Sequence, residues 1–257
     1  MIQSQETKVR SELIEDGRLL RVVLDAGRGN VIDSTAIGEM REALARHVHH
    51  HGLRGWVLDH EGPHFSFGAS VEEHAPGRVE AMLPRFHALV RDIVHLDLPF
   101  LACVRGACLG GGLEIVLLAD RVFASPSAFF GQPELKLGVF APLGTLLLPR
   151  IIGPRRAADL LLSGRSVAIE EALASGLASE VAEEPHAAAR AWAVEHLLPK
   201  SAQSLRHATR LLRKDLRERV LPALEEAEHA YLGPLMATRD AREGIAAFLE
   251  KRDPAWE

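Results

Sequence analysis

Two cysteines are all that 257 residues hold. Both, Cys103 and Cys108, sit in apolar surroundings with no histidine or further cysteine at ligand spacing, which speaks against a disulfide framework or a thiolate metal site and fits a reducing compartment. They read as small buried hydrophobes. A basic excess is missing too. The 30 Lys and Arg against 35 Asp and Glu leave a formal charge of -5, the wrong sign for gripping nucleic acid or an anionic membrane surface. No run approaches the roughly 18 apolar residues of a membrane span, and the opening "MIQSQETKVRSELIEDG" lacks the apolar segment of a secretion signal. A cytoplasmic chain is expected, with a small molecule or another copy of itself as partner. Neither a low-complexity linker nor an internal repeat with a period of roughly 20 to 50 residues is visible.

What remains is an ordinary globular composition, 47% hydrophobic and 25% charged, enough for one sizeable core. "RLLRVVLDAG" (18–27) reads as a strand. Asp33 and Ser34 can then cap a helix in which Ile37, Met40, Leu44 and Val48 recur at helical steps until Gly52. "LRGWVLDHEG" (53–62) reads as a second strand. The alternation returns in "LPFLACVRG" (98–106), a helix opened by a glycine run, and "DRVFAS" (120–125), which predicts an α/β layer with parallel pairing. Beyond about residue 145 strand candidates nearly vanish. The expected organisation is an α/β core over 1–190 and a helical region over 191–257.

The glycine run needs a reason, because each glycine inside a helix costs about 1 kcal/mol relative to alanine. In "GACLGGGLEIVLLAD" (106–120) a strand, a turn at Gly106 and a glycine-opened helix would place free N–H groups where an anion is favoured. The dinucleotide pattern G-x-G-x-x-G is absent, and the phosphate-loop pattern fails because Leu113 stands where a lysine is required. A smaller developing oxyanion, such as an enolate, fits better. Glu114 follows two residues past the glycines among Leu113, Ile115 and Val116, where desolvation raises a carboxyl pKa and the helix terminus lowers it. Alone it could be a helix-dipole partner. A second carboxylate, Glu134 in "AFFGQPELKLG", lies a strand and a turn away, and the two could converge as an acid/base pair.

"GACLGGGLEIVLLADRVFAS" with "FGQPELKLGV" and "HFSFGASVEEH" (64–74) resembles the enoyl-CoA hydratase/isomerase (crotonase) superfamily from about residue 15 to the C-terminal "FLEKRDPAW". The resemblance implies a spiral of repeated ββα units followed by C-terminal trimerisation helices, a trimer or dimer of trimers, and an acyl-CoA thioester as substrate, with no cofactor besides the coenzyme A it carries. It also implies an oxyanion hole made by the backbone N–H groups of Ala69 and Gly111, and Glu114 and Glu134 as the catalytic pair. Family members that hydrate keep both glutamates. Two departures narrow the reading: Ser70 replaces the usual aspartate after Gly68 and Ala69, and "GVFAPLGT" (138–145) replaces a glycine-rich stretch. Both resemble the members that hydrate cyclic dienoyl-CoA thioesters in anaerobic benzoyl-CoA degradation. That implies a 1,4-hydration, with oxygen added β to the thioester and a proton delivered across the ring. Phe67, Phe130 and Phe140 are expected as walls for a flat ring. Arg28, Gly29, Phe248 and Lys251 are expected to contact coenzyme A, the last two in the segment that the family packs on a neighbouring subunit's ligand. The competing readings are a straight-chain enoyl-CoA hydratase and a non-catalytic acyl-CoA- or RNA-binding scaffold. The intact glutamates and the negative net charge argue against the two forms of scaffold.

Two other features read blandly. The histidines of "HVHHHG" (47–52) sit at a predicted helix end, where they favour the dipole, and no carboxylate or cysteine stands at metal spacing. The basic stretch "LRHATRLLRKDLRER" (205–219) carries Asp215 and Glu218 between its cations and reads as a solvated helix face.

Overall fold

The computed structural model describes residues 7–257, so the first six residues of the expected core lie outside the described residues. Nine strands are described: β1 (Val9–Ile14), β2 (Leu19–Leu24), β3 (Gly55–His60), β4 (Phe100–Val104), β5 (Ala107–Leu109), β6 (Arg121–Ala124), β7 (Phe129–Gly131), β8 (Ser166–Ala168) and β9 (Glu180–Val181). The helices are α1 (Ser34–His47), α2 (Val79–His95), α3 (Gly111–Val116), α4 (Pro142–Ile151), α5 (Pro154–Ser163), α6 (Ile169–Ser175), α7 (Pro185–His196), α8 (Ala202–Leu212), α9 (Leu221–Ala230) and α10 (Arg239–Glu250).

A six-stranded sheet runs β1-β2-β3-β4-β6-β9, and a three-stranded sheet runs β5-β7-β8. From β2 through β9 every neighbour in the larger sheet is parallel, and β1 alone pairs antiparallel. The spiral follows from the repeat. A strand in the larger sheet is followed by a short extended piece and then a helix, as in β4, β5 and α3 or β6, β7 and α4. The earlier turns of the spiral reduce the extended piece to single bridges, Ile32 to Ala69 and Ser66 to Cys108. Each turn of the chain therefore adds one strand to the growing sheet and one helix to its face.

The expected strands and the helix capped by Asp33, whose side chain accepts from Ala36 N, are present. Helix α1 ends at His47 rather than running on to Gly52. The glycine run does not follow β4 directly, because β5 intervenes and carries the chain into the smaller sheet. Strand β1 and the long helix α2, whose buried face runs from Val79 through Phe86 to Val94, were not foreseen.

Residues 190 and 191 both fall within α7, whose Ala189 and Ala193 pack with Leu19, Val57, Leu101, Cys103 and Phe123 on one face of the larger sheet. The basic stretch is solvated along most of its length, with Arg210, Lys214 and Arg219 exposed, but Arg213 departs from that expectation. Arg213 is 2% exposed and donates to the carbonyls of Ile93, Leu96 and Leu98 and to the carboxylate of Asp120. Arg217 binds Val94 O and Asp97, and Arg210 also reaches Asp97. These arginines clamp the end of α2 and the loop leading into β4, satisfying carbonyls that the end of a helix leaves open. Helix α9 packs on α2 and α4, and α10 packs on the short turns Val71–His74 and Glu134–Leu137. The helical region is thus part of the wall around the residues that follow.

Candidate active site

Gly110 has φ 51, a left-handed conformation that disfavours side chains, and its N–H donates to Gly131 O at 3.0 Å. A Cβ built there would stand 2.9 Å from Glu134 Oε1, so the bare backbone leaves room for that carboxylate. One residue on, a Cβ at Gly111 would meet Ala69 N and Ala69 Cβ at 3.3 Å. The chain segments carrying Ala69 and Gly111 therefore lie side by side. Bridge bonds hold the Ala69 segment, with Gly68 O accepting from Ile32 N and Ser70 N donating to Ile32 O, both at 3.0 Å. Neither the Ala69 nor the Gly111 N–H donates to a group among the described residues. Gly111 opens α3, where the first N–H groups have no intrahelical acceptor.

Glu114 is 4% exposed, and its Oε1 accepts from Gly144 N at 2.8 Å. Burial pushes its pKa up to about 7 against the opposing backbone N–H groups of Gly144 and Leu143. Desolvation thus outweighs those donors. Glu134 begins the turn Glu134–Leu137, and burial followed by the charge of Glu114 pushes its carboxyl up to about 8. The buried amide of Gln132 faces it, its nitrogen 2.9 and 3.0 Å from the two carboxylate oxygens when turned to donate. Two carboxyls in one poorly solvated space resist joint ionisation.

One cavity contains both glutamates with Ala69, Gly110 and Gly111, enclosed by Phe67, Phe86, Phe140 and Tyr231. Phe67 is 50% exposed and lies against Gly29, whose carbonyl accepts from Phe67 N at 2.8 Å. Phe130 is a correction: on β7 it is fully buried between Cys108 and Val167, where its ring joins the hydrophobic core and does not line the cavity. Arg28 is exposed in the loop beside Gly29, and neither lines the cavity. Phe248 is 54% exposed near the end of α10, Lys251 caps that helix at φ 56, and both also stand outside the cavity wall. Gly144, Gln132, His74 and Tyr231 escaped the sequence reading. Gln132 sits two residues before Glu134, and His74 and Gly144 lie inside the quoted "HFSFGASVEEH" and "GVFAPLGT", whereas Tyr231 arrives from a distant element with no local mark.

Free N–H groups beside two buried carboxyls in one cavity fit chemistry through an oxyanion. The chain belongs to the enoyl-CoA hydratase/isomerase family, whose profile matches residues 18–257. Among its relatives, the cyclohexa-1,5-dienecarbonyl-CoA hydratase of Thauera aromatica is 48% identical over 245 residues, covering 95% of each chain. The carnitinyl-CoA dehydratase of Escherichia coli strain K12 is 31% identical over 255 residues, covering 95% of this chain and 97% of the other. The chain is an enzyme of the same hydro-lyase class. The crystal structure of enoyl-CoA hydratase from Bacillus halodurans shares the fold, with a TM-score of 0.86 at 23% identity over 93% of this chain and 99% of that one.

Proposed function

We propose that the chain adds water to cyclohexa-1,5-diene-1-carbonyl-CoA to give 6-hydroxycyclohex-1-ene-1-carbonyl-CoA. The observation that carries this reading is the pair Glu114 and Glu134 in one cavity with the unengaged N–H groups of Ala69 and Gly111. Those N–H groups receive the thioester oxygen. Glu114, held by Gly144 N, takes a proton from water as its oxygen bonds to the ring carbon β to the thioester. The electron pair displaced from the ring moves to the thioester oxygen, giving a dienolate that the two N–H groups stabilise. Glu134, protonated by burial and by the neighbouring charge, delivers its proton to the carbon across the ring, and the dienolate collapses to the conjugated product. The glutamates then re-equilibrate the proton taken from water, so the sum is substrate plus water.

The likeness to the Thauera aromatica hydratase supports the cyclic substrate. Phe67 and Phe140 flank the cavity as walls for the ring. The coenzyme A moiety belongs to the substrate and no separate cofactor enters this scheme. Its chain would leave past Arg28 and Gly29, while Phe248 and Lys251 would meet the coenzyme A of a neighbouring copy in a trimer or dimer of trimers in the cytoplasm. A substrate panel followed by loss of enoyl-thioester absorbance tests the reading. Turnover of the cyclic dienoyl thioester above that of crotonyl-CoA is expected, and preference for crotonyl-CoA would instead make this a straight-chain hydratase.

A further inference from the structure

The hydration scheme leaves two polar side chains of the cavity unused, His74 and Tyr231, and of these the Tyr231 hydroxyl has no partner among the described residues. Tyr231, the only tyrosine in the chain, is 1% exposed and lines the same cavity as Glu114 and Glu134. Its hydroxyl has no hydrogen-bond partner among the described residues, so neither carboxylate accepts from it. A buried hydroxyl normally finds a partner, since otherwise it forfeits the water it bonded when unfolded.

The backbone beneath it is specialised. Tyr231 opens a π-helical turn, Tyr231–Leu235, closed by Met236 N donating to Tyr231 O at 3.1 Å. Pro234 lies inside that turn and has no N–H to give. Such widened turns are rare and frequently mark functional positions. The ring is held by Phe140, with centroids 5.5 Å apart, and flanked by His74 at 6.4 Å. His74 Nδ1 lies 2.7 Å from Ser70 O and donates to it, and burial keeps the imidazole neutral.

The acceptor that Tyr231 lacks is supplied by the reaction. At the reacting end of the substrate, the thioester oxygen is claimed by Ala69 and Gly111 and the ring is hydrocarbon, which leaves the oxygen being added. We propose that Tyr231 Oη donates a hydrogen bond to that oxygen, first in the attacking water and then in the ring hydroxyl of the product. Tyr231 is then a substrate-binding residue that selects the hydroxylated thioester, and its own proton stays in place. Burial and the two nearby carboxylates favour the neutral phenol, the form that can donate. The inference rests on the hydratase reading above.

The test uses Tyr231→Phe, which removes Oη and keeps the ring. In a Glu114→Gln background, which slows turnover by about a hundredfold or more, calorimetry gives dissociation constants for 6-hydroxycyclohex-1-ene-1-carbonyl-CoA and for cyclohex-1-ene-1-carbonyl-CoA, the same ring without the hydroxyl. Tyr231→Phe is expected to weaken the hydroxylated thioester about tenfold and the other less than about twofold, the scale of one lost hydrogen bond. Equal losses for both, or none for either, would overturn the proposal and leave Tyr231 a packing residue. Turnover by the otherwise unaltered chain is scored separately. If it fails on the cyclic diene, the hydratase reading falls, while the binding comparison still decides what Tyr231 recognises.

Discussion

At the residue scale, Glu114 and Glu134 carry the chemistry because the fold denies them water. Glu114→Gln and Glu134→Gln each keep the size of the side chain and remove its acid/base capacity. Each should lower kcat by about a hundredfold or more with acyl-CoA affinity nearly kept. Near wild-type turnover in either variant would refute the paired mechanism. The same burial has a stability consequence. Both carboxyls hold their protons to higher pH when folded than at the ordinary value of 4.5. The folded state therefore binds more protons than the unfolded one, and the stability they contribute is full below that value and is lost as pH rises through about 7 to 8. Glu134→Gln, which cannot ionise, should melt higher than the wild type at about pH 9, by more than ~2 °C. The gap should close well below pH 4.5, where the wild-type carboxyl is protonated in both states. A melting difference independent of pH would show that ionisation is not its source.

At the element scale, the segment before and into α4 shapes the site. Phe140 and Pro142 line the cavity, and Gly144 in the same helix fixes Glu114. Exchanging Phe140 for Ile and Pro142 for Gly removes ring bulk and a fixed φ beside Glu134. It should narrow the preference for the cyclic dienoyl thioester over crotonyl-CoA in kcat/KM, and an unchanged ratio would acquit this segment. Misfit in an apolar pocket is worth about 1 to 3 kcal/mol per methylene, so crotonyl-CoA should still react slowly. Farther away, Arg213 joins three carbonyls and Asp120. Arg213→Met leaves Leu98 O without a donor and Asp120 with Phe100 N alone, and should cost about 1 to 3 kcal/mol in denaturant unfolding. A loss below about 1 kcal/mol would mean that the clamp contributes no more than an exposed ion pair.

At the scale of the whole molecule, the chain leaves Leu162, Leu211, Leu212 and Phe248 exposed on its later helices. Apolar surface of that kind marks association when it is contiguous. Together with the expected role of Phe248 and Lys251 on a neighbouring copy, it predicts a trimer or a dimer of trimers. Multi-angle light scattering at micromolar concentration should give three or six times the 28.1 kDa chain mass. A monomer at that concentration would remove the partner contribution to the coenzyme A site and leave the cavity within one chain unaffected.

The sequence by itself determined the alternating strands and helices, the cap at Asp33 and the two glutamates. These are written locally, in side-chain periodicity, in a carboxylate placed to accept a free N–H, and in carboxyls embedded in apolar runs. The burial of Cys103 and Cys108 was legible for the same reason. Strands β5 and β8, three residues each, were too short to show a period. That Phe67 lines the cavity while Phe130 packs into the core away from it depends on how the two segments are placed in space. Arg213 looked solvated like its neighbours because its acceptors, the carbonyls around residues 93–98, lie more than a hundred positions away. Only the tertiary structure could bring Gly144 to Glu114, Gln132 to the carboxylate of Glu134, and Tyr231 to the cavity they share. A hydrogen bond or a shared cavity is a relation between positions in space, and the linear order of the residues records only one partner at a time.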